Sequence, residues 1–329
     1  GHPVMNQAPK GLIHAKLLDG TGGARDLPWD AVRAWQPDDG CLWLHLDFED
    51  AQAQAWLRDE SGLNDIASSA LVTAETRPRA INRGDNLLLA LRGVDLNPGS
   101  QPDDMVSVRI WTNGRRLIST RKRVLQSTRD LLDALEAGEG PPSAVELLVG
   151  WIDRITWRMS GTVDNLEEQM AALEERILTD DVRGMRLELA QLRRQCVTLR
   201  RYLAPQREAM NRLAAETLSW LDELNRIRLR ETNDRLIRHI EDIEAVRERA
   251  AMAQEELMTQ VSEEMNRRAY VFTVVATIFL PLGFFTGLMG INVGGMPGVD
   301  DGTAFWIVVA LCGAVGIGLA ALFRFARWL

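Results

Sequence analysis

Few side chains in the C-terminal third of this sequence could act on a charged substrate. Between residues 269 and 323 the ionisable carboxylates are Asp300 and Asp301 alone, and no histidine lies in or near this stretch. Neighbouring carboxylates concentrate cations through their electric field, although an ordinary polar turn uses the same residues. Tight zinc coordination needs histidine, cysteine or carboxylate ligands, and we interpret Cys312 as a packing residue. The available chemistry is attraction of cations without firm coordination.

A second group of candidate ligands lies in the charged segment upstream. Glu231, Asp234 and Glu241, with His239 nearby, are candidates for a regulatory metal site. Arginines alternate with these acids, a pattern that favours ion pairs on a solvated helix face. We retain the four residues as candidates beside that interpretation.

Two long uncharged segments flank Asp300 and Asp301. Residues 269–289 form a run of 21 and residues 304–323 a run of 20, and neither carries a charge. Each run is long enough to cross a hydrocarbon core of ~30 Å as a helix. Two such runs rarely occur together in a soluble core, so the sequence predicts two transmembrane helices.

The charges beside these segments predict their orientation. Arg267 and Arg268 precede the first segment, Arg324 and Arg327 follow the second, and the loop 290–303 contains no lysine or arginine. The positive-inside rule then places both termini in the cytoplasm and the loop outside. The expected location is a bacterial-type inner membrane.

The first segment carries a stripe of mostly small or polar residues at helical spacing. Two helices cannot enclose a water-filled path, so transport would need several chains around an axis. Tight packing between helices uses the same small residues, and the sequence leaves both interpretations open. The stripe consists of Asn266, Ala269, Thr273, Ala276, Leu280, Gly283 and Gly287.

The rest of the chain is predicted as an α/β domain followed by long helices. Strand and hairpin signals recur up to residue 120, and apolar residues then repeat every three or four positions over many heptads. A helix without a stop signal leads from about residue 222 to residue 290. The predicted strands are 12–18, 42–47, 79–82, 87–91, 105–111 and 116–120, and the predicted helices include 50–76 and 126–137. The predicted domains are a tag remnant at 1–4, an α/β domain at 5–140, a long-helix bundle and stalk at 141–268, the spans 269–289 and 304–323, the loop 290–303 and a basic tail at 324–329.

Composition and motifs exclude several function classes. The formal net charge is −8, which argues against a nucleic-acid partner because phosphate neutralisation needs a basic surface. No P-loop is present, so ATP-driven pumping is not expected. No hydrolase or metalloprotease motif occurs, and the sequence predicts neither an enzyme nor a cofactor.

The motif that ends the first segment resembles a known signature. The segments 276–282 and 287–292 are similar to those of CorA-type divalent-cation transporters, whose first span ends in Gly-Met-Asn. Here the triplet is Gly290-Ile291-Asn292, and this Gly-Ile-Asn version resembles the ZntB zinc-transport branch. The change from methionine to isoleucine weakens a claim of magnesium transport like that of the main branch.

The resemblance implies a homopentamer with a funnel-shaped cytoplasmic domain, embedded in a lipid bilayer. Five first spans would line one pore, with Asn292 presenting side-chain carbonyls at the outer mouth and Gly290 allowing the backbone to turn. Phe272 would form a bulky constriction near the cytoplasmic end. The other matching pore positions are Asn266, Ala269, Ala276, Leu280, Gly283 and Gly287.

The function expected from the resemblance is movement of divalent cations through the central pore. Zinc is the expected ion, and Mg²⁺, Co²⁺, Ni²⁺ and Cd²⁺ are further candidates. The ion would move at least partly hydrated. Transport could be linked to protons, but the predicted spans contain no acid or histidine that could relay them. A magnesium or cobalt channel and a membrane-anchored cation sensor or scaffold are the alternatives.

Overall fold

The computed structural model describes residues 4–74, 77–179 and 181–326. They divide into two compact units, Gly1–Gln254 and Glu255–Leu329. The predicted tag remnant lies outside the described residues except for Val4, and so does the predicted tail beyond Ala326. The domain limits given above remain predictions.

In its described residues the first unit has seven strands and seven helices, and the last helix continues into the second unit. A short 3-10 helix, Pro37–Asp39, precedes β3. The elements are β1 Leu12–Leu18, β2 Ala24–Asp26, α1 Trp29–Arg33, β3 Leu42–Asp47, α2 Ala51–Asp59, α3 Asp65–Leu71, β4 Arg79–Arg83, β5 Asn86–Val94, β6 Met105–Thr112, β7 Arg116–Arg121, α4 Gln126–Glu136, α5 Ala144–Leu178, α6 Met185–Ala215 and α7 Glu223–Met289.

The strands form one mixed sheet in the order β2-β1-β3-β7-β6-β5-β4. The β3–β7 pair is parallel, with Leu44 opposite Ile118, and the other pairs are antiparallel. Both predicted hairpins are present. The second turns at Gly114, whose φ of +87° suits glycine. A Cβ there would also lie 2.3 Å from Trp220 Cγ.

Strand β3 shows how both faces of the sheet are covered. Residues 42–46 are all buried, as expected for a central strand between two layers. Leu44 belongs to the core that contains Trp56 of α2. On the other face the Trp43 ring packs edge-on against Trp151 of α5, with 5.3 Å between ring centres. The predicted α/β class is confirmed.

The predicted single helix over residues 50–76 is wrong. Helix α2 ends at Asp59 and α3 begins at Asp65. Gly62 between them has a φ of +78°, and the Asn64 side chain accepts a hydrogen bond from Ala67 N, which caps α3. Strand β2 and helix α1 had no predicted counterpart.

The long helices confirm the predicted apolar repeat. Leu148, Ile152 and Ile155 of α5 are at most 1 % exposed, and Leu189 and Cys196 of α6 are fully buried. Shallow packing along such repeats is the geometry of helical bundles. The seams of α5, of α6 and of α7 up to Leu257 are therefore buried.

The second unit contains the end of α7 and helix α8, Ala304–Ala326. Helix α7 continues through Pro281 to Met289, as predicted. A proline is tolerated inside a membrane helix when its surroundings satisfy the freed carbonyl.

Candidate cation pathway

The end of α7 and helix α8 form an antiparallel pair. The Tyr270 hydroxyl donates to the carbonyl oxygen of Phe323 at 3.1 Å, and their rings meet edge to face. Further along, a Cβ on Gly316 would lie 3.7 Å from Leu282 Cδ1. The later residue of α7 contacts the earlier residue of α8, so the two helices run antiparallel.

Both helices present their apolar side chains to the outside. None of the residues in either apolar stretch is buried, and Phe272, Phe284 and Phe325 are each more than 70 % exposed. Leaving so much apolar surface in water is costly at roughly 25 cal/mol per Å². A lipid bilayer or neighbouring chains must therefore cover these faces.

One face of helix α7 packs against α8. The partly covered residues of α7 recur at helical spacing. The partly covered residues of α8 include Cys312, for which the sequence predicted a packing role. The partly covered residues of α7 are Tyr270, Val274, Thr277, Ile278, Leu282, Phe285 and Met289.

The predicted pore stripe lies on the other side of α7. Its seven members, from Asn266 to Gly287, are all exposed. At ~100° per residue the stripe is centred about 150° away from the face that meets α8. Phe272 lies at the edge of the stripe, about 70° from its centre by the same count. The stripe is thus free to face an axis shared with other copies.

The stripe contains no group that would bind a bare metal ion firmly. Thr273 donates its hydroxyl to the carbonyl oxygen of Ala269 at 2.8 Å. The glycines at 283 and 287 expose backbone, and nothing lies within 4 Å of where a Cβ would be. In the described residues no group of three or more histidine, cysteine or carboxylate side chains is placed to hold a metal. Such a surface can contact water and hydrated ions.

The Gly290-Ile291-Asn292 triplet follows the last turn of α7. Gly290 N donates to Thr286 O at 3.0 Å and Gly287 O at 3.2 Å, which closes the helix end. Ile291 and Asn292 are exposed at the start of the loop. The triplet therefore lies at the same end of α7 as Gly287, the last position of the predicted stripe.

The two loop carboxylates have different surroundings. Asp301 Oδ1 accepts hydrogen bonds from Thr303 N at 2.9 Å and Thr303 Oγ1 at 2.8 Å. These bonds lower the pKa of Asp301, the backbone bond most, and shape the turn that starts α8. Asp300 is exposed. Asp301 thus has the structural role of a turn residue, and Asp300 remains the better candidate for attracting cations.

The predicted regulatory residues do not converge within one chain. Glu231, Asp234 and Glu241 are exposed and His239 is half-buried, all on α7. Ten residues separate the first from the last, a rise of ~15 Å along the helix. No ion pair joins these three acids to the interleaved arginines in the described part of the chain, since Arg235 pairs with Asp153 instead. A metal site there stays a prediction that would need another chain.

A group of carboxylates around His239 was missed at the level of sequence. Burial lowers the pKa of His239, and the charges of Asp242 and Asp164 oppose this shift without reversing it. Burial raises the pKa of Glu167, and the same two acids add to the effect. The signal available was the spacing of Asp164 and Glu167, one helical turn apart on α5, beside the apolar seam.

Comparisons with known proteins match the chain over nearly its whole length. The family model described as "CorA-like Mg2+ transporter protein" matches residues 38–324. The sequence is 42 % identical to the divalent cation transporter CmaX of Pseudomonas aeruginosa over 324 residues, 97 % of each chain. It is 34 % identical to the zinc transport protein ZntB of Yersinia enterocolitica over 318 residues, 96 % of each chain.

Solved structures give the same result for the fold. The structure of full-length CmaX aligns with a TM-score of 0.86 at 40 % identity and covers 98 % of this chain and 100 % of that one. The CorA magnesium transporter of Methanocaldococcus jannaschii aligns with a TM-score of 0.80 at 18 % identity, covering 96 % and 99 %. The second likeness concerns the fold alone.

Proposed function

This chain belongs to the CorA-like Mg2+ transporter family and is a divalent-cation transporter, and from that premise we propose that zinc is its principal ion. The family consists of ion transporters rather than enzymes. Support for zinc comes from the Gly290-Ile291-Asn292 triplet and from the full-length similarity to a zinc transport protein. The observation that carries the pathway is the exposed stripe on the face of α7 opposite α8.

We propose that several copies, five by analogy with the CorA-type architecture, surround one axis with these stripes inward. A single hairpin of helices cannot shield a charged ion from lipid, and a closed cyclic ring can. Helix α8 would then lie on the outer side of each α7, against lipid. Both termini would be cytoplasmic in the inner membrane, since the arginines at 267, 268 and 324 flank the spans on one side.

Within such a ring the ion would keep at least part of its hydration shell. The stripe offers backbone and small side chains instead of zinc ligands, so waters of the shell would hydrogen-bond to carbonyl groups. Asn292 would supply side-chain carbonyls at the mouth and Phe272 a narrow point near the cytoplasmic end. Asp300, repeated around the ring, would raise the local cation concentration.

A magnesium or cobalt channel is the second candidate. Mg²⁺ dehydrates reluctantly and is usually bound with several waters retained. A path without dehydrating ligands therefore suits magnesium as well as zinc, and flux measurements must separate the two ions.

The proposal is tested by zinc entry into proteoliposomes that contain the purified full-length chain and a fluorescent zinc reporter. Flux is measured with and without a pH gradient, beside the Asn292→Ala variant. We expect zinc flux that the variant reduces at least about tenfold, the scale of one lost charge-assisted contact. Acceleration by the pH gradient would establish a proton link.

The other outcomes are equally definite. Magnesium flux without zinc flux would support the channel, and no divalent flux would support a sensor or scaffold. Labelling with a water-soluble thiol reagent, after Cys312→Ser, gives an independent test. Ala276→Cys on the stripe should react in membranes, whereas the matched Val275→Cys on a lipid-facing side should not.

A further inference from the structure

Two exposed arginines lie at one end of the antiparallel pair formed by α7 and α8. Arg267 precedes Tyr270 by nearly one helical turn, and Arg324 directly follows Phe323. The Tyr270 hydroxyl donates to the carbonyl oxygen of Phe323 at 3.1 Å. The two arginines therefore lie at about the same level of the pair, at the end where the first apolar stretch begins and the second one ends.

Arg267 lies on the side of α7 that packs against α8. At ~100° per residue, its position falls within about 10° of the centre of that face. Arg268 lies about 105° from the same centre, and it pairs with Glu264 at 2.5 Å. Glu263, one turn before Arg267, lies on the same side but beyond ion-pair distance. Within the described residues, neither Arg267 nor Arg324 has a carboxylate close enough for an ion pair.

Exposed apolar side chains continue from these two arginines into the spans. Val271, one turn after Arg267, is 54 % exposed. On α8, Leu322 and Phe325, on either side of Arg324 in the chain, are 63 % and 80 % exposed. Unpaired positive charge at the edge of an exposed apolar surface matches an anionic phospholipid, whose phosphate lies at the membrane surface and whose acyl chains lie below it.

We infer that Arg267 and Arg324 together bind the phosphate of an anionic phospholipid at the cytoplasmic surface of the membrane, while its acyl chains cover the apolar surface beside α8. A guanidinium donates paired hydrogen bonds to phosphate oxygens, so two of them would hold the headgroup at one place. The inference rests on the proposed function, whose arrangement puts the outer side of α8 against lipid. The lipid site is separate from the path of the transported ion.

Native mass spectrometry of the purified full-length protein, titrated with lipid in detergent, tests the inference. Phosphatidylglycerol is compared with phosphatidylcholine that has the same acyl chains. We expect phosphatidylglycerol to occupy one site per chain and to bind at least about fivefold more tightly, the scale of one arginine at an anionic membrane surface. Glycerol phosphate, which lacks acyl chains, should not displace the lipid.

Three variants locate the site. Arg267→Gln and Arg324→Gln should each weaken the binding of phosphatidylglycerol about fivefold, and the double variant should weaken it at least about tenfold. Arg268→Gln is the matched control, because it removes the same charge at nearly the same level from a side chain that already pairs with Glu264. It should leave lipid binding unchanged. All three side chains are exposed, and the mass of the assembly in the same spectra shows whether each variant assembles as the wild type does.

Three results would overturn the inference. The first is equal binding of the two lipids by the wild-type protein. The second is an effect of Arg268→Gln as large as that of Arg267→Gln, which would indicate general attraction to a basic surface. The third is displacement of the lipid by glycerol phosphate, which would indicate a site for free phosphate. Zinc flux is measured separately: flux without a lipid preference would refute this inference alone, and a lipid preference without flux would refute the proposed transport alone.

Discussion

Two buried histidines should make the first unit sensitive to mild acid. His45 is 1 % exposed, and its Nδ1 lies 2.7 Å from the hydroxyl oxygen of Ser119, which also accepts from Trp43 Nε1. The His14 ring stacks on His45 with 5.2 Å between ring centres. The second ring nitrogens, Nε2 of both, have no partner among the described residues. Protonating either ring would place a charge where little can solvate it.

The pKa shifts give the direction and size of the effect. Burial lowers the pKa of His14 from 6.5 to about 3, Lys16 and Arg121 add to this, and Asp26 opposes it. Burial also lowers the pKa of His45, with further contributions from His14 and Arg121. Because the folded-state pKa is depressed, the unfolded state binds more protons below pH 6.5. Stability is therefore complete above that pH and is lost as the pH falls towards the folded-state pKa.

The loss can be worked out for His14 alone. With a pKa of 6.5 in the unfolded state and about 3 in the folded state, integrating the proton uptake from pH 7 to pH 5 gives a loss of about 2 kcal/mol. His45 adds to it in the same direction. Most carboxylates contribute little in this window, because their ordinary pKa values lie near or below 4.3. Glu167, whose pKa is raised by burial, acts in the opposite direction to the histidines.

Thermal unfolding of the full-length protein in detergent, at pH 7 and pH 5, measures this effect. We expect a lower melting temperature at pH 5, and His45→Leu should reduce the difference, since Ser119 keeps Trp43 as its partner. Lys10→Gln, which changes an exposed side chain, is the control and should leave the difference unchanged. An equal pH effect in wild type and His45→Leu, or none in either, would refute the assignment.

Three further predictions follow from single contacts. Asp300→Asn should slow zinc flux at low ionic strength and have little effect at 1 M salt, where the screening length is ~3 Å. Asp301→Ala should also lower the melting temperature, because it removes the acceptor of the two hydrogen bonds from Thr303. Leu166→Ala in the fully buried seam of α5 should cost about 2–5 kcal/mol of unfolding free energy, measured by denaturant titration. Gly114→Ala should lower the melting temperature, because the new Cβ meets Trp220 and the φ of +87° costs about 1–3 kcal/mol for alanine.

Local signals were sufficient for most of the fold. The Gly84 and Gly114 turns lie between apolar runs, and both hairpins formed where they were predicted. The long apolar repeats predicted three helices, because a repeat of three and four residues keeps apolar side chains on one face only in a helix. The prediction was wrong at residues 60–64 because a helix-like pattern continues across them. The break between α2 and α3 depends on two local features, the positive φ of Gly62 and the capping hydrogen bond of Asn64.

The candidate pathway could be predicted only in part. The spacing of small residues in the first span defines a face, and a face of that kind suits either a pore or a close helix neighbour. The choice depends on which face of α7 packs against α8, and this is known only from the tertiary structure. Arg109 illustrates the same limit, since an arginine in a strand is expected to face solvent, whereas the structure buries it beside the Phe48 ring and the carbonyl oxygen of Ala74.

In the proposed pathway the residue that attracts cations, Asp300, is separate from the stripe on α7 that lines the path, and this separation affects ion selection. A ligand that held zinc tightly enough to select it by coordination would also hold it too long, since conduction needs weak sites that the ion can leave. The described stripe has no such ligand, so in the pore that we propose selection would rest on the fit of a hydrated ion and on the carbonyls of Asn292. Hydrated divalent ions of equal charge differ little at that distance. In the same proposal, isoleucine at position 291, where the family signature has methionine, would affect ion preference through the shape of the mouth, and other divalent ions should compete with zinc for entry.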